Sequence, residues 1–455
     1  MNRKIIKNGT IISMDSSLGI LEGADILIDD DCISGVGHGL EAGDAEIIDA
    51  AGTIIIPGLI NAHIHTWQTG LRGIAGNWTS VDYHKNIHRG IAMSYTPEAT
   101  YLGNLIGAWG QINAGTTTIM DWCHVNATPE HTDGAIDGLE ESGIRAVFAH
   151  GTVKPEQKEG EKHFSEIPHP RSEIERLRKG RLSNTEALIT LGMAILGPEN
   201  STKEVMLHDF ALAREFGLVS SSHTWNRKNR VVKEGFYPIA EAGLLGPDHN
   251  IVHGNYLVDD ELKMLIDHGV SVTATPTVEI QSAKADPLCG RVKKLGDKVS
   301  LGSDTDVFVA SDMFHVMRFA LQFQHAIDCR EESNDNMPIE KLATSPYEAL
   351  EWATIAGARA LQMEDKIGSI TPGKKADLVF LKMDDLCLQP IHDPVNTVVL
   401  FADRSSVSAV MIDGNFAKTA GEMTGPASAI ARKQSDLNAA VQKVFELAGY
   451  DHLAR

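Results

Sequence analysis

Between Ile54 and about residue 365, short apolar runs alternate with amphipathic stretches, and this alternation constrains the fold more than any other feature. Residues 116–120 predict a strand, residues 132–142 a helix and residues 146–149 the next strand. Strands that alternate with helices form a parallel sheet. About eight such units fit into roughly 300 residues, and no GxGxxG phosphate loop is present, which favours a closed (β/α)8 TIM-type barrel over a doubly wound sheet.

Both chain ends carry short alternating strands that are interrupted by turn residues. At 455 residues the chain exceeds the usual size of a single core, which fits one large and one small domain. We therefore predict an α/β protein with three parts: a small β-sandwich domain from residues 1–56 and 366–420, a hydrolase barrel from residues 57–365, and a helical tail from residues 421–455.

Charge and composition exclude several classes of protein. The chain has 61 acidic and 41 basic residues and a formal charge of -20, which would repel a nucleic-acid backbone. No apolar run is long enough to cross a bilayer, and no signal peptide is recognisable at the N-terminus. The five cysteines include no CxxC pair, so we expect free thiols. We predict a cytoplasmic protein that acts on a small molecule, without nucleic-acid or membrane partners.

The pair His63 and His65 directly follows the apolar run Thr53 to Ile60. Side chains two residues apart point to the same face of an extended segment, so both imidazoles can bind one metal. An HxH pair alone is weak evidence in a chain with 19 histidines.

Three further strand-like runs end on a polar residue: His223, His253 and Asp304. In a barrel these positions meet at the active-site mouth. Each residue taken alone has a structural alternative, since buried histidines are often hydrogen-bonded within the core and Asp304 could cap the following helix. Their joint occurrence at strand ends favours a metal centre.

Six segments resemble the amidohydrolase superfamily, nearly from end to end of the chain. The resemblance is to the branch that contains atrazine chlorohydrolase, cytosine and guanine deaminases and adenosylhomocysteine deaminase. The segments are PGLINAHIHTWQTGLRG at residues 57–73, GTTTIMDW at 115–122, SSHTW around His223, VHGNYL around His253, LGSD ending at Asp304 and IGSITPGKKADLVFL at 367–381.

The resemblance implies that His63, His65, His223 and Asp304 ligate one divalent metal per chain, Zn(II) or Fe(II), while His253 binds the attacking water. The chemistry agrees, because a divalent metal lowers the pKa of bound water from 15.7 to about 7. Asp304 would also accept the water proton, and His253 would stabilise the oxyanion that forms on the attacked carbon.

One position departs from the deaminases of this branch, which carry a glutamate three residues after the third histidine. Asn226 stands there, and an amide cannot shuttle a proton to a leaving amine. Glu279, in a loop after a predicted strand, is the best replacement, and Asp121 is a weaker one. The alternative for Glu279 is an ordinary surface acid.

Aromatic and amide side chains near the strand ends suit a flat nitrogen heterocycle. We expect the substrate to contact Trp67, Gln68, Arg72, Trp122, Trp225 and Asn226. Trp67 could instead pack beneath its loop.

Three functions remain open at this point. The first is hydrolytic deamination or amide cleavage of a small heterocycle, and the second is release of halide or another non-amine group from the same site. The third, a binding or assembly protein on an inactive barrel, is disfavoured by the retention of all four ligands and His253. An apolar loop around Trp122 predicts a homo-oligomer.

Overall fold

The computed structural model describes residues 3–225, 228–332, 338–425 and 427–453. Its largest feature is a ring of eight parallel strands, in which each strand pairs with the next along the chain. These strands are β6 Leu59–Ile64, β7 Thr116–Cys123, β8 Arg145–His150, β9 Ile189–Ile195, β10 Val219–Thr224, β11 His249–His253, β12 Ser271–Ala274 and β13 Ser300–Leu301.

The ring closes between the first and last strands, beside the predicted ligands. The amide of His65 donates to the carbonyl of Asp304 at 2.8 Å, and the amide of Asp304 donates to the carbonyl of His63 at 2.9 Å. The predicted barrel is therefore confirmed.

A mixed nine-stranded sheet combines both ends of the chain. Strands β5 (Thr53–Pro57) and β14 (Leu378–Lys382) lie side by side and antiparallel, which joins the two ends directly. The sheet contains β1 Arg3–Ile12, β2 Ile20–Asp29, β3 Cys32–Gly37, β4 Glu46–Asp49, β5 Thr53–Pro57, β14 Leu378–Lys382, β15 Val407–Ile412, β16 Asn415–Thr419 and β17 Glu422–Met423. This sheet confirms a second β-sheet unit built from both ends.

Helices follow most barrel strands and cover the outside of the ring. The α-helices are α1 Ser80–Tyr83, α2 Pro97–Asn113, α3 Pro129–Ser142, α4 Arg171–Lys179, α5 Gly197–Asn200, α6 Lys203–Glu215, α7 Tyr237–Glu241, α8 Asp259–Asp267, α9 Pro276–Ser282, α10 Cys289–Lys294, α11 Met313–Glu332, α12 Pro346–Trp352, α13 Ile355–Ala360, α14 Pro394–Leu400 and α15 Ala427–Ala448. In the part of the chain that the structure describes, no helix combines the length and apolarity needed to span a membrane.

A buried ionic cluster ties the barrel to the second sheet. Arg145, at the start of β8, donates from Nε to Oδ2 of Asp377 at 2.9 Å and also pairs with Asp413. The Asp413 amide donates to Asp377 Oδ1 at 2.9 Å. Because Arg145 is 4% exposed, loss of this side chain would leave carboxylates without their partner in a poorly solvated place.

Candidate metal centre

Four of the predicted residues converge at the carboxyl ends of the barrel strands. One ligand-type atom from each of His63, His223, His253 and Asp304 lies within 4.8 Å of the other three. The residues belong to three strands and to the segment after β13, so the closed barrel brings together positions that are far apart in sequence.

His65 reaches the same centre from the side. Its Nε2 lies 3.2 Å from Asp304 Oδ1, and its Nδ1 lies 2.7 Å from the carbonyl oxygen of Trp122. A carbonyl only accepts hydrogen bonds, so Nδ1 carries the proton and Nε2 keeps the lone pair that a metal ligand needs. The barrel thus brings together all five residues that the sequence predicted for the centre.

The protonation states of the cluster also suit a metal. His63 is completely buried; its Nε2 lies 3.3 Å from Asp304 Oδ1, and its Nδ1 has no hydrogen-bond partner among the described residues. Burial lowers the pKa of His63 to about 4, and burial together with the neighbouring imidazoles holds the pKa of His223 well below its usual value. Burial opposes ionisation of Asp304, but the imidazoles of His63 and His65 outweigh it and hold its pKa well below the ordinary value.

Neutral imidazoles and one ionised carboxylate are a ligand set that divalent metals such as zinc use. The close approach of His63 Nε2 and His65 Nε2 to one oxygen of Asp304, at 3.3 and 3.2 Å, fits this interpretation, because the ligands of one metal lie near one another.

Two of these residues have an unusual backbone. His253 and Asp304 have φ angles of 73° and 65°, in the left-handed region that favours glycine. Such a conformation costs about 1–3 kcal/mol per residue and persists where the surrounding structure enforces it, often at functional sites.

Glu279 lies behind His253 and does not line the cavity. Its Oε1 is 3.3 Å from His253 Nδ1 and accepts the amide of Thr275 at 2.8 Å, while its Oε2 accepts from Asn255 Nδ2 at 3.2 Å. The side chain is fully buried, unlike the surface acid of the alternative interpretation. This position gives Glu279 contact with His253 rather than with a molecule in the cavity.

Asp121, the weaker candidate for a proton carrier, is also outside the cavity wall. It accepts from the Thr66 amide at 3.1 Å and from Asn104 Nδ2 at 3.0 Å. Burial raises the pKa of Asp121 to about 6.

A cavity of about 470 Å³ opens from the His–Asp cluster. Trp225 lines it and stacks on His253 with ring centroids 4.0 Å apart. Sequence reasoning missed several further side chains in its wall. Among them are Tyr83, His88, His124, Lys154, Glu199 and Phe308.

The other side chains expected to touch the substrate lie elsewhere. Trp67 and Trp122 are buried beneath the histidines and do not line the cavity. Gln68 donates to the Tyr83 hydroxyl at 2.8 Å and so supports the wall, whereas Arg72 is exposed and pairs with Asp306 at 2.6 Å. Asn226 lies outside the described residues.

Comparison with known proteins gives the family. Residues 54–417 match the model of the Amidohydrolase family. The chain is 29% identical to a 5'-deoxyadenosine deaminase of Methanothermobacter thermautotrophicus, covering 89% of this chain and 91% of the relative. It is also 29% identical to a 5-methylthioadenosine/S-adenosylhomocysteine deaminase of Acetivibrio thermocellus, covering 90% and 93%.

Solved structures show the same fold at lower identity. An adenosine deaminase from Xanthomonas campestris with bound zinc superposes with a TM-score of 0.79 at 21% identity, covering 96% of this chain and 98% of that one. An atrazine chlorohydrolase from Arthrobacter aurescens TC1 complexed with zinc gives 0.77 at 18% identity, covering 96% and 99%. The chain belongs to the amidohydrolase family and is a hydrolase that acts on carbon–nitrogen bonds.

Proposed function

We propose that the protein is a zinc-dependent deaminase that releases ammonia from an amino-substituted nitrogen heterocycle of the adenosine type. The observation that carries the proposal is the His–Asp cluster at the inner end of a cavity of about 470 Å³ with an aromatic wall. The names of the two relatives, both deaminases of adenosine derivatives, support this substrate class.

His63, His65, His223 and Asp304 would hold the metal, which when bound supplies a water that can lose its proton at neutral pH. Of the five residues at the centre, His253 is assigned to the water and the substrate. Its Nδ1 contacts Thr275 Oγ1 at 3.0 Å and Glu279 at 3.3 Å, which leaves Nε2 for the reaction.

Asp304 accepts the proton of the attacking water as the new C–O bond forms. His253 donates a hydrogen bond to the developing negative charge, and the Glu279 carboxylate, 3.3 Å from its Nδ1, holds the ring in place. The C–N bond then breaks as the proton taken by Asp304 passes to the leaving nitrogen. Glu279 therefore acts as a positioning residue for His253, because it is separated from the cavity.

Hydrolytic release of halide or another non-amine group is the second candidate. Asn226 favours it, because a leaving chloride needs no proton and the glutamate typical of the deaminases is absent.

A screen of matched amino- and chloro-substituted purines, pyrimidines and triazines separates the two functions. We expect the metal-loaded protein to release ammonia from at least one amino compound, and the metal-free protein to release none. Chloride release without any ammonia release would establish the second candidate, and no release of either would remove both.

A homo-oligomeric assembly stays a prediction. The apolar loop around Trp122 was the wrong basis for this prediction, because Trp122 is only 1% exposed and offers no apolar surface to a partner.

A further inference from the structure

Lys154 places a positive charge in the cavity beside the metal centre. It follows β8 by four residues and lines the cavity, with its Nζ 5.7 Å from the ring centroid of Trp122. That ring packs against His223, with centroids 4.2 Å apart, and against His65 at 5.6 Å. The ammonium group therefore lies at the inner end of the cavity and not at its rim.

No carboxylate among the described residues forms an ion pair with Lys154. Glu156 and Glu199 also line the cavity. Burial lowers the pKa of Lys154 to about 8, so the side chain is still mostly protonated at pH 7. A half-buried cation without a counter-charge is unfavourable unless something that binds there supplies the charge.

His124 is the second unpartnered group in this wall. It is 2% exposed, and neither of its ring nitrogens has a hydrogen-bond partner among the described residues. Its ring centroid lies 4.4 Å from that of Trp122, on whose ring Lys154 also rests. An imidazole ring carries at least one N–H, so His124 offers a donor to a group bound in the cavity.

We propose that Lys154 and His124 bind an oxyanion, a carboxylate or a phosphate, that the substrate carries beside its reacting ring. One ammonium and one imidazole N–H, both on the Trp122 ring, are the donors that such a group requires. The inference rests on the proposed function for the position of the reacting ring. It makes the substrate class an acidic heterocycle and not a neutral nucleoside.

Calorimetric binding to the zinc-loaded protein tests this proposal without requiring turnover. Two matched ligand pairs differ in charge: pyridine-3-carboxylate against pyridine-3-carboxamide, and adenosine 5'-monophosphate against adenosine. We expect at least one anion to bind about tenfold or more tightly than its neutral partner, as is typical of a charged hydrogen bond. The pair that shows the preference identifies carboxylate or phosphate.

Lys154→Met keeps the apolar stem and removes the charge, so it should abolish the preference and leave binding of the neutral ligand nearly unchanged. Lys154→Arg, which keeps the positive charge, should retain the preference for the anion. The matched control is Lys85→Met, which removes an exposed lysine from the same cavity wall and should leave the preference intact.

Three results would overturn the proposal. The wild type could show no preference for either anion, the preference could survive in Lys154→Met, or Lys85→Met could remove it equally. Survival in Lys154→Met would show that Lys154 does not bind the anion. Because ammonia release is not measured, these results are independent of the screen that tests the deaminase function.

Discussion

Substitution of Glu279 by glutamine distinguishes a residue that acts through His253 from one that protonates the leaving group. Glutamine keeps the size and a carbonyl oxygen that can still accept from the Thr275 amide. It removes the charge that faces His253, and its amide group turns a donor towards Asn255 Nδ2, itself a donor. The carbonyl oxygen stays beside His253 Nδ1, so the main losses are the carboxylate charge at that nitrogen and the acceptor of Asn255.

A hydrogen bond to a charged group contributes about 1.5–3 kcal/mol. If the charge contributes this much mainly in the transition state, where His253 donates to the developing negative charge, kcat should fall by about 10- to 150-fold. A lost general acid would instead lower ammonia release by about 100- to 10,000-fold and leave chloride release unaffected. The two roles therefore predict different losses of activity for substrates that release ammonia and for substrates that release chloride.

The assay compares kcat for an amino-substituted heterocycle and its chloro analogue, with metal content measured in the same preparation. We expect Glu279→Gln to retain its metal and to lose both activities by similar factors. Glu156→Gln, at an exposed residue of the cavity wall, is the control and should change neither. A loss confined to the amino substrate, or unchanged rates with both substrates, would refute the positioning role.

Three further predictions concern the metal and the fold. His253→Asn should keep nearly all of the metal while turnover falls by about 100-fold or more, and elemental analysis that found the metal lost would make His253 a ligand. His223→Ala should lose the metal. Chelation of the wild type should lower its melting temperature, because a ligand present at 100 times its Kd stabilises the folded state by about 2.7 kcal/mol. Equal melting curves with and without metal would contradict this prediction. Arg145→Met should lower the free energy of unfolding by about 3–5 kcal/mol in urea, whereas Arg171→Met, which breaks the exposed pair with Glu215, should cost at most about 1 kcal/mol. Equal losses in these two variants would show that burial of the Arg145 cluster has no special effect.

The metal centre could be predicted from the sequence because a parallel barrel gives strand ends a fixed meaning. His63, His223 and His253 each stand at or near the end of a strand, and those ends meet on one face of the ring. The same rule should have found His124, which directly follows β7, but attention there went to Asp121 within the strand.

The cavity wall could not be predicted in the same way, because it depends on contacts between distant parts of the chain. Gln68 and Arg72 follow the HxH pair closely in sequence, yet they are held by Thr305 and Asp306 from the other side of the barrel closure. Glu279 contacts His253 only because the chain turns into α9 directly after β12. No periodicity in the sequence encodes these contacts.

The left-handed conformations of His253 and Asp304 have a consequence for laboratory evolution of this protein. Glycine adopts such a backbone without strain, so a glycine at either position would relieve part of the cost carried by the native side chain. At His253, which is not assigned to the metal, selection for thermal tolerance or expression alone would then favour variants that have lost the reactive group. Libraries built from this chain should therefore be screened for turnover in every round, because at His253 stability and activity are opposed.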